Sequence, residues 1–244
     1  MEYVWLFFIG ICGTTIGTLA GGGGLISLPA MLIMGIPVHS AIGANKVSNT
    51  ISSFTSFFHL WKRKQISIKE YFWIIPVSLF GGISGGFIAS KLSEEKMYIV
   101  AVILLLFAFV TSFIGKGNFT GKERLVMNKI SVPGLYSIGI YDGLFGPGQG
   151  TLMFYLFGHL NVAYIHAVGL VRLATFSSCI GAAITYIATG RIIWPLTIAL
   201  LLGSVTGAQI GVRMAEKLKP QFIKPLLRIV TIALIIQMVI EKIL

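Results

Sequence analysis

From Tyr3 to Ile36 the chain carries no charged side chain, yet four consecutive glycines stand inside that stretch, in LAGGGGLISLP (Leu19 to Pro29). As one helix the segment would be about 50 Å long, too long for one crossing of a lipid bilayer and short for two. Glycine costs roughly 1 kcal/mol per residue in a helix interior, so four in a row unwind a helix. A hairpin broken at the glycines satisfies both constraints. Composition names the solvent around it. Charged residues are 11% of the chain, against about 25% in soluble domains; hydrophobic residues are 55% and mean hydropathy is +0.88, which predicts an integral membrane protein. MEYVW opens with an acid and lacks a basic n-region, so the first apolar segment is expected to stay in the protein. Cys12 and Cys179 lie in apolar segments and read as buried small side chains rather than a disulfide.

A net charge of +11 would suit a nucleic-acid partner, but the cations sit in loops. KRKQISIKE (Lys62 to Glu70), KGNFTGKERLVMNK (Lys116 to Lys129) and RMAEKLKPQFIK (Arg213 to Lys224) are each strongly basic, whereas KLSEEK is neutral. Basic loops stay cytoplasmic, so nucleic acid is not an expected partner and membrane lipid is. Transmembrane helices are predicted at Ala41 to Trp61, Tyr71 to Ser90 and Tyr98 to Ile114, and again at Ala167 to Thr189, Ile192 to Val212 and Phe222 to Ile240. Trp61 and Trp73 flank one cytoplasmic loop, as interfacial aromatics do.

The two groups of spans repeat each other. At an offset of 126, AGGGGLISL (Ala20 to Leu28) falls on GPGQGTLMF (Gly146 to Phe154), and AIGANK falls on AVGLVR, so that Lys46 matches Arg172. Equivalent loops carry opposite charge character: KRKQISIKE matches the nearly bare stretch around Arg191, and KLSEEK matches KLKPQFIK. The halves are therefore expected to be inverted. The predicted fold is an all-α integral membrane protein of two inverted repeats, each a glycine-broken hairpin plus three transmembrane helices. Residues 1–115 form the first repeat, 116–130 a cytoplasmic connecting loop and 131–244 the second repeat. Gln65, Gly121 and Lys219 should be cytoplasmic and both termini extracytoplasmic, in a multi-pass protein of the cell inner membrane.

Inverted repeats with interrupted helices characterise transporters, whose substrates bind near the midplane between repeats. Short helices restarting near Leu25 and Thr151 aim free N–H groups inward, where they attract anions. Unwound backbone is tolerated there only if protein or a water-filled cavity covers it. Gly13, Gly17 and Gly21, and Gly203, Gly207 and Gly211, have the four-residue spacing of close helix packing. Lys46, Asp142 and Arg172 are the ionisable acids and bases well inside apolar segments. Asp142, as an ion-pair or coupling residue, can neutralise one cation and leaves a surplus that a bound anion would balance. The candidate substrate site comprises Gly22, Gly23, Gly24, Asn45, Lys46, Asn49, Gly148, Gln149, Gly150, Thr151 and Arg172, the amides and hydroxyl serving as oxyanion donors.

The motifs GGGGLISLPAMLIMGIP, AIGANK and YDGLFGPGQG, with the paired helices GGISGGFIASKL and GSVTGAQIGVRMA, resemble the TauE/SafE family of sulfite and organosulfonate exporters over most of the chain. The resemblance implies transport of small sulfur-containing anions. The chain departs from the family pattern at Ala44, where threonine is common, and at Arg172, where lysine is frequent.

An enzyme would need two carboxylates, or a nucleophile with its base, inside the membrane, and His39, His59, His159 and His166 form no metal-binding pair on one helix turn. No cofactor or metal is expected. The reading is a carrier that exports a small anion by alternating access, with an anion channel or membrane-assembly factor as the alternatives and an intramembrane enzyme behind them. A homo-oligomer is compatible with the sequence.

Overall fold

A computed structural model describes residues 2–21, 23–114 and 125–217. These are helical, with no strand among the described residues. In the first half, α1 (Glu2–Ala20) and α2 (Gly24–Ile33) form the glycine-broken hairpin, followed by α3 (Val38–Lys62), the single turn α4 (Ile68–Tyr71), α5 (Ile74–Ser90) and α6 (Glu94–Ile114). In the second half, α7 (Ser131–Leu144) and α8 (Gln149–His159) form the matching hairpin, followed by α9 (Tyr164–Ala188) and α10 (Trp194–Ala215). The expected span Phe222 to Ile240 lies outside the described residues, as do the loop positions Gly121 and Lys219.

Five expected spans coincide with α3, α5, α6, α9 and α10, each with a boundary moved by three or four residues. Tyr71 belongs to α4, and α5 begins at Ile74 because Pro76 is placed in its first turn, where a missing N–H breaks no helical bond. The segments α1, α9 and α10 are long and apolar enough to cross a membrane on composition alone. The helix α3 matches α9 at 25 residues but carries Lys46 and a run of serines and threonines. By contrast, α2 has 10 residues and α8 has 11, so each spans about 15 Å, half the thickness of the hydrocarbon core. Apolar side chains cover the outside: Trp5, Phe80, Ile103 and Leu202 are each more than half exposed. In water that surface would be unstable; in lipid it is the solvated face. Cys12 is also exposed, on an outward face of α1, which corrects its reading as a buried side chain; Cys179 is buried, and both thiols are free.

Helix α1 packs on α10, α5 on α7 and α9, and α3 on α9 and α10. Lipid offers no hydrophobic drive for helix association, so small residues and close backbone approach hold these pairs. Gly203 and Gly207 face the carbonyls of Phe7 and Ile11 on α1, and Gly81 and Gly85 face those of Tyr136 and Ile140 on α7. Gly13 and Gly17 let α1 approach the start of α2: both pack against Gly23 in the chain's own break, and Gly13 also against Ser27. The helices α3 and α9 run antiparallel. Gly43, early in α3, lies against Tyr186 at the far end of α9 and Ile192 just beyond it, while Gly169, early in α9, lies against Leu60 at the far end of α3 and Ile66 just beyond it.

Two apolar clusters sit at opposite ends of this pair, one around Leu60, Phe157 and Val168, the other around Leu25, Ile42 and Tyr186. The polar middle of α3 and α9 lies between them. Gly207→Ala would press a methyl group into the Ile11 carbonyl, so we expect a loss of about 1–3 kcal/mol of stability. Thermal unfolding in detergent should show this, with anion affinity of the folded protein unchanged.

Candidate functional site

Each hairpin breaks where glycine is the residue that fits. Gly21 has φ +78°, a left-handed conformation, and the second break has Gly146 at φ +105° and Gly148 at φ +82° around Pro147. The two breaks touch: Gly21 lies against the backbone of Gly150 and Thr151, and Gly24 lies against Pro147. Side chains at either glycine would separate them. The start of α2 and the start of α8 therefore meet at one place in the interior, each with first-turn N–H groups that lack an intrahelical acceptor.

The middles of α3 and α9 close the other side. Asn45 and Asn49 are one turn apart on α3, and the Asn49 Nδ2 donates to Asn45 Oδ1 at 2.6 Å. Asn45 Nδ2 in turn donates to Ser27 Oγ on α2 at 2.6 Å. Gln149, the first residue of α8, donates to Thr175 Oγ1 on α9 at 3.0 Å. These carboxamides, with Gly17, Gly23, Gly150 and Arg172, line a cavity of about 30 Å³, room for roughly one or two waters.

The three interior charges divide unequally. Lys46 is fully buried, and its Nζ lies 2.7 Å from Asp142 Oδ1. Ser178 Oγ donates to Asp142 Oδ2, and Cys179 Sγ approaches the same oxygen at 3.4 Å. Asp142 is thus satisfied on both oxygens, as a buried carboxylate must be. Arg172, 5% exposed, has no carboxylate partner among the described residues. Its Nη1 makes one long bond to Ser53 Oγ at 3.4 Å, and its Nε has no hydrogen-bond partner. A guanidinium carries five N–H donors, and this one lines the cavity with its Nε unpartnered.

Of the sequence-predicted residues, Gly23, Gly24, Asn45, Asn49, Asp142, Gln149, Gly150 and Arg172 line the cavity. Lys46 stands behind it, its ammonium held by Asp142 against Gly146, and Gly148 and Thr151 shape the break without lining the cavity. Gly22 lies outside the described residues. Sequence reasoning missed Thr175, which the 126-residue offset places on Asn49, so the repeat itself was the available signal. It also passed over Ser178 and missed Ser53, because a serine in a membrane helix has no sequence mark separating a charge partner from a backbone-bonded hydroxyl.

The glycine breaks and the interior charges lie within one stretch of resemblance: residues 6–238 match the family described as sulfite exporter TauE/SafE. The chain belongs to the TauE/SafE family. Among its relatives, the probable membrane transporter protein ORF9 of Sinorhizobium sp is 30% identical over 241 residues, covering 96% of this chain and 91% of its own. The probable membrane transporter protein YfcA of Escherichia coli K12 is 26% identical over 231 residues, covering 93% and 85%. The probable membrane transporter protein YdhB of Bacillus subtilis is 23% identical over 223 residues, covering 86% and 88%. No solved structure matches the chain significantly. The protein is a multi-pass membrane protein of a transporter family, and neither the family nor these relatives is described as an enzyme.

Proposed function

We propose that this chain exports a small oxyanion of the sulfite or organosulfonate class across the inner membrane by alternating access between two inverted halves. The observation that carries the reading is Arg172: a buried guanidinium, unmatched by any described carboxylate, in a cavity where two helix N-termini meet. Buried charges in a membrane cost about 2.5–3.5 kcal/mol even on insertion scales, so an unpaired one calls for a ligand of opposite sign. Sulfur oxyanions have oxygens spaced to accept from a guanidinium fork and from carboxamide N–H groups together.

Reciprocal contacts support the inverted halves. At the 126-residue offset Gly43 against Tyr186 and Ile192 becomes Gly169 against Leu60 and Ile66, and Gly21 against Gly150 becomes Pro147 against Gly24. The pairing of α1 with α10 likewise exchanges with that of α7 with α5. Alternating access draws support from the two ends of α3, about 37 Å apart. At one end Glu94 stands 3.8 Å from His39 and 4.0 Å from Arg191; at the other Glu216 stands 2.7 Å from Arg63 and 3.7 Å from His59. Arg191 and Arg63 keep exposed guanidinium groups in these contacts, and ion pairs of such cations are worth about 0–1 kcal/mol, weak enough to open in turn. An inside-negative potential supplies about 2.3 kcal/mol per charge per 100 mV to drive an anion outward.

Purified protein in liposomes tests the reading. Efflux of sulfite or a short alkanesulfonate should saturate with concentration, and the same anion on the far side should accelerate exchange. Flux that never saturates indicates a channel, and no flux of any anion removes the carrier reading.

A further inference from the structure

We infer that the buried charges around the cavity are matched to an anion carrying one negative charge, and that Asp142 sets this valence. The inference rests on the anion-carrier reading and deepens it. Around the cavity the buried ionisable side chains among the described residues are Lys46, Asp142 and Arg172. Lys46 and Asp142 cancel through the 2.7 Å contact. The remaining wall groups that face the space, Asn45, Asn49, Gln149 and Thr175, are neutral. The sum is one positive charge.

A monoanion brings that sum to zero. A dianion leaves one uncompensated negative charge among buried side chains, and the cost of such a charge falls directly on affinity. Lys46 does not answer a second charge while Asp142 holds it, because both Asp142 oxygens are occupied, one by Lys46 and the other by Ser178. Neutralising Asp142 changes the count. It frees the Lys46 ammonium beside Gly146, a residue of the cavity wall, and raises the sum to two positive charges.

The experiment compares two anions of similar tetrahedral shape, methanesulfonate with one charge and sulfate with two, binding to the full-length protein in nanodiscs by titration calorimetry. Wild type should bind methanesulfonate roughly 100-fold more tightly than sulfate. Asp142→Asn should shift the ratio toward sulfate by at least about tenfold. The double variant Lys46→Met with Asp142→Leu, which removes both members of the pair and restores one net positive charge, should return to the wild-type preference and also covers a folding failure of the single variant. Equal binding of the two anions by wild type, or a ratio that Asp142→Asn leaves unchanged in folded protein, overturns the inference. The parent reading fails separately: neither anion binds wild type, or Arg172→Gln leaves methanesulfonate binding intact.

Discussion

Arg172→Gln should weaken binding of a small monovalent oxyanion by at least about 100-fold and stop its transport, while Lys69→Gln on the exposed side of the turn α4 leaves both unchanged. A hydrogen bond to a charged group is worth about 1.5–3 kcal/mol, and a guanidinium that makes two of them to one anion supplies about 3–6 kcal/mol, or two to four powers of ten. The same contact in water is screened by salt within about 8 Å. Stability separates this role from a structural one. Arg172 has one long bond and an unpartnered Nε, so removing its charge relieves a desolvation cost, and the anion-free variant should unfold no more easily than wild type. Lys46→Gln should do the reverse, because it strands Asp142 as a buried unpaired carboxylate and costs about 3–5 kcal/mol of stability. Thermal unfolding with and without anion reads both effects. Wild-type affinity in Arg172→Gln would move the anion site elsewhere.

The asymmetry between these two cations is where sequence reasoning reached its limit. Lys46 and Arg172 are equivalent by the repeat and both stand in apolar helices, so the sequence presents them as a pair. Which one Asp142 neutralises depends on how α7 packs against α5 and α9, and that is a matter of tertiary packing. The breaks were legible for a local reason: a run of glycines in an apolar segment has few explanations, and the restart of α2 at Gly24 and α8 at Gln149 falls within two residues of expectation. Helix α3 was legible by length despite its hydroxyls, whereas the small turn α4 was not, since its boundary depends on where Pro76 lets the next helix begin. For Gly13 and Gly17 the four-residue spacing specifies a close-packed face and leaves the partner open. Here the partner is the chain's own break.

Gly21→Ala should abolish transport while Gly35→Ala preserves it, although both replace a glycine of nearly the same conformation. Gly21 has φ +78° and Gly35 has φ +75°, so each substitution carries the same left-handed penalty of roughly 1–2 kcal/mol. Their surroundings differ. A methyl group at Gly35 meets nothing within 4 Å, whereas one at Gly21 runs into the Gly150 carbonyl carbon and the Thr151 nitrogen. Backbone cannot step aside as a flexible side chain does, so the α1–α2 break must move away from the α7–α8 break. The cavity that both breaks close is then lost, together with the convergence of two helix N-termini on Arg172. The reciprocal change, Gly150→Ala, places a methyl group 2.6 Å from Gly21 Cα and should have the same consequence without any left-handed strain of its own. Flux in liposomes at matched protein content, with unfolding temperature measured beside it, distinguishes loss of the site from loss of the fold. If Gly21→Ala and Gly150→Ala both transport at the wild-type rate, contact between the two breaks has no part in holding the anion.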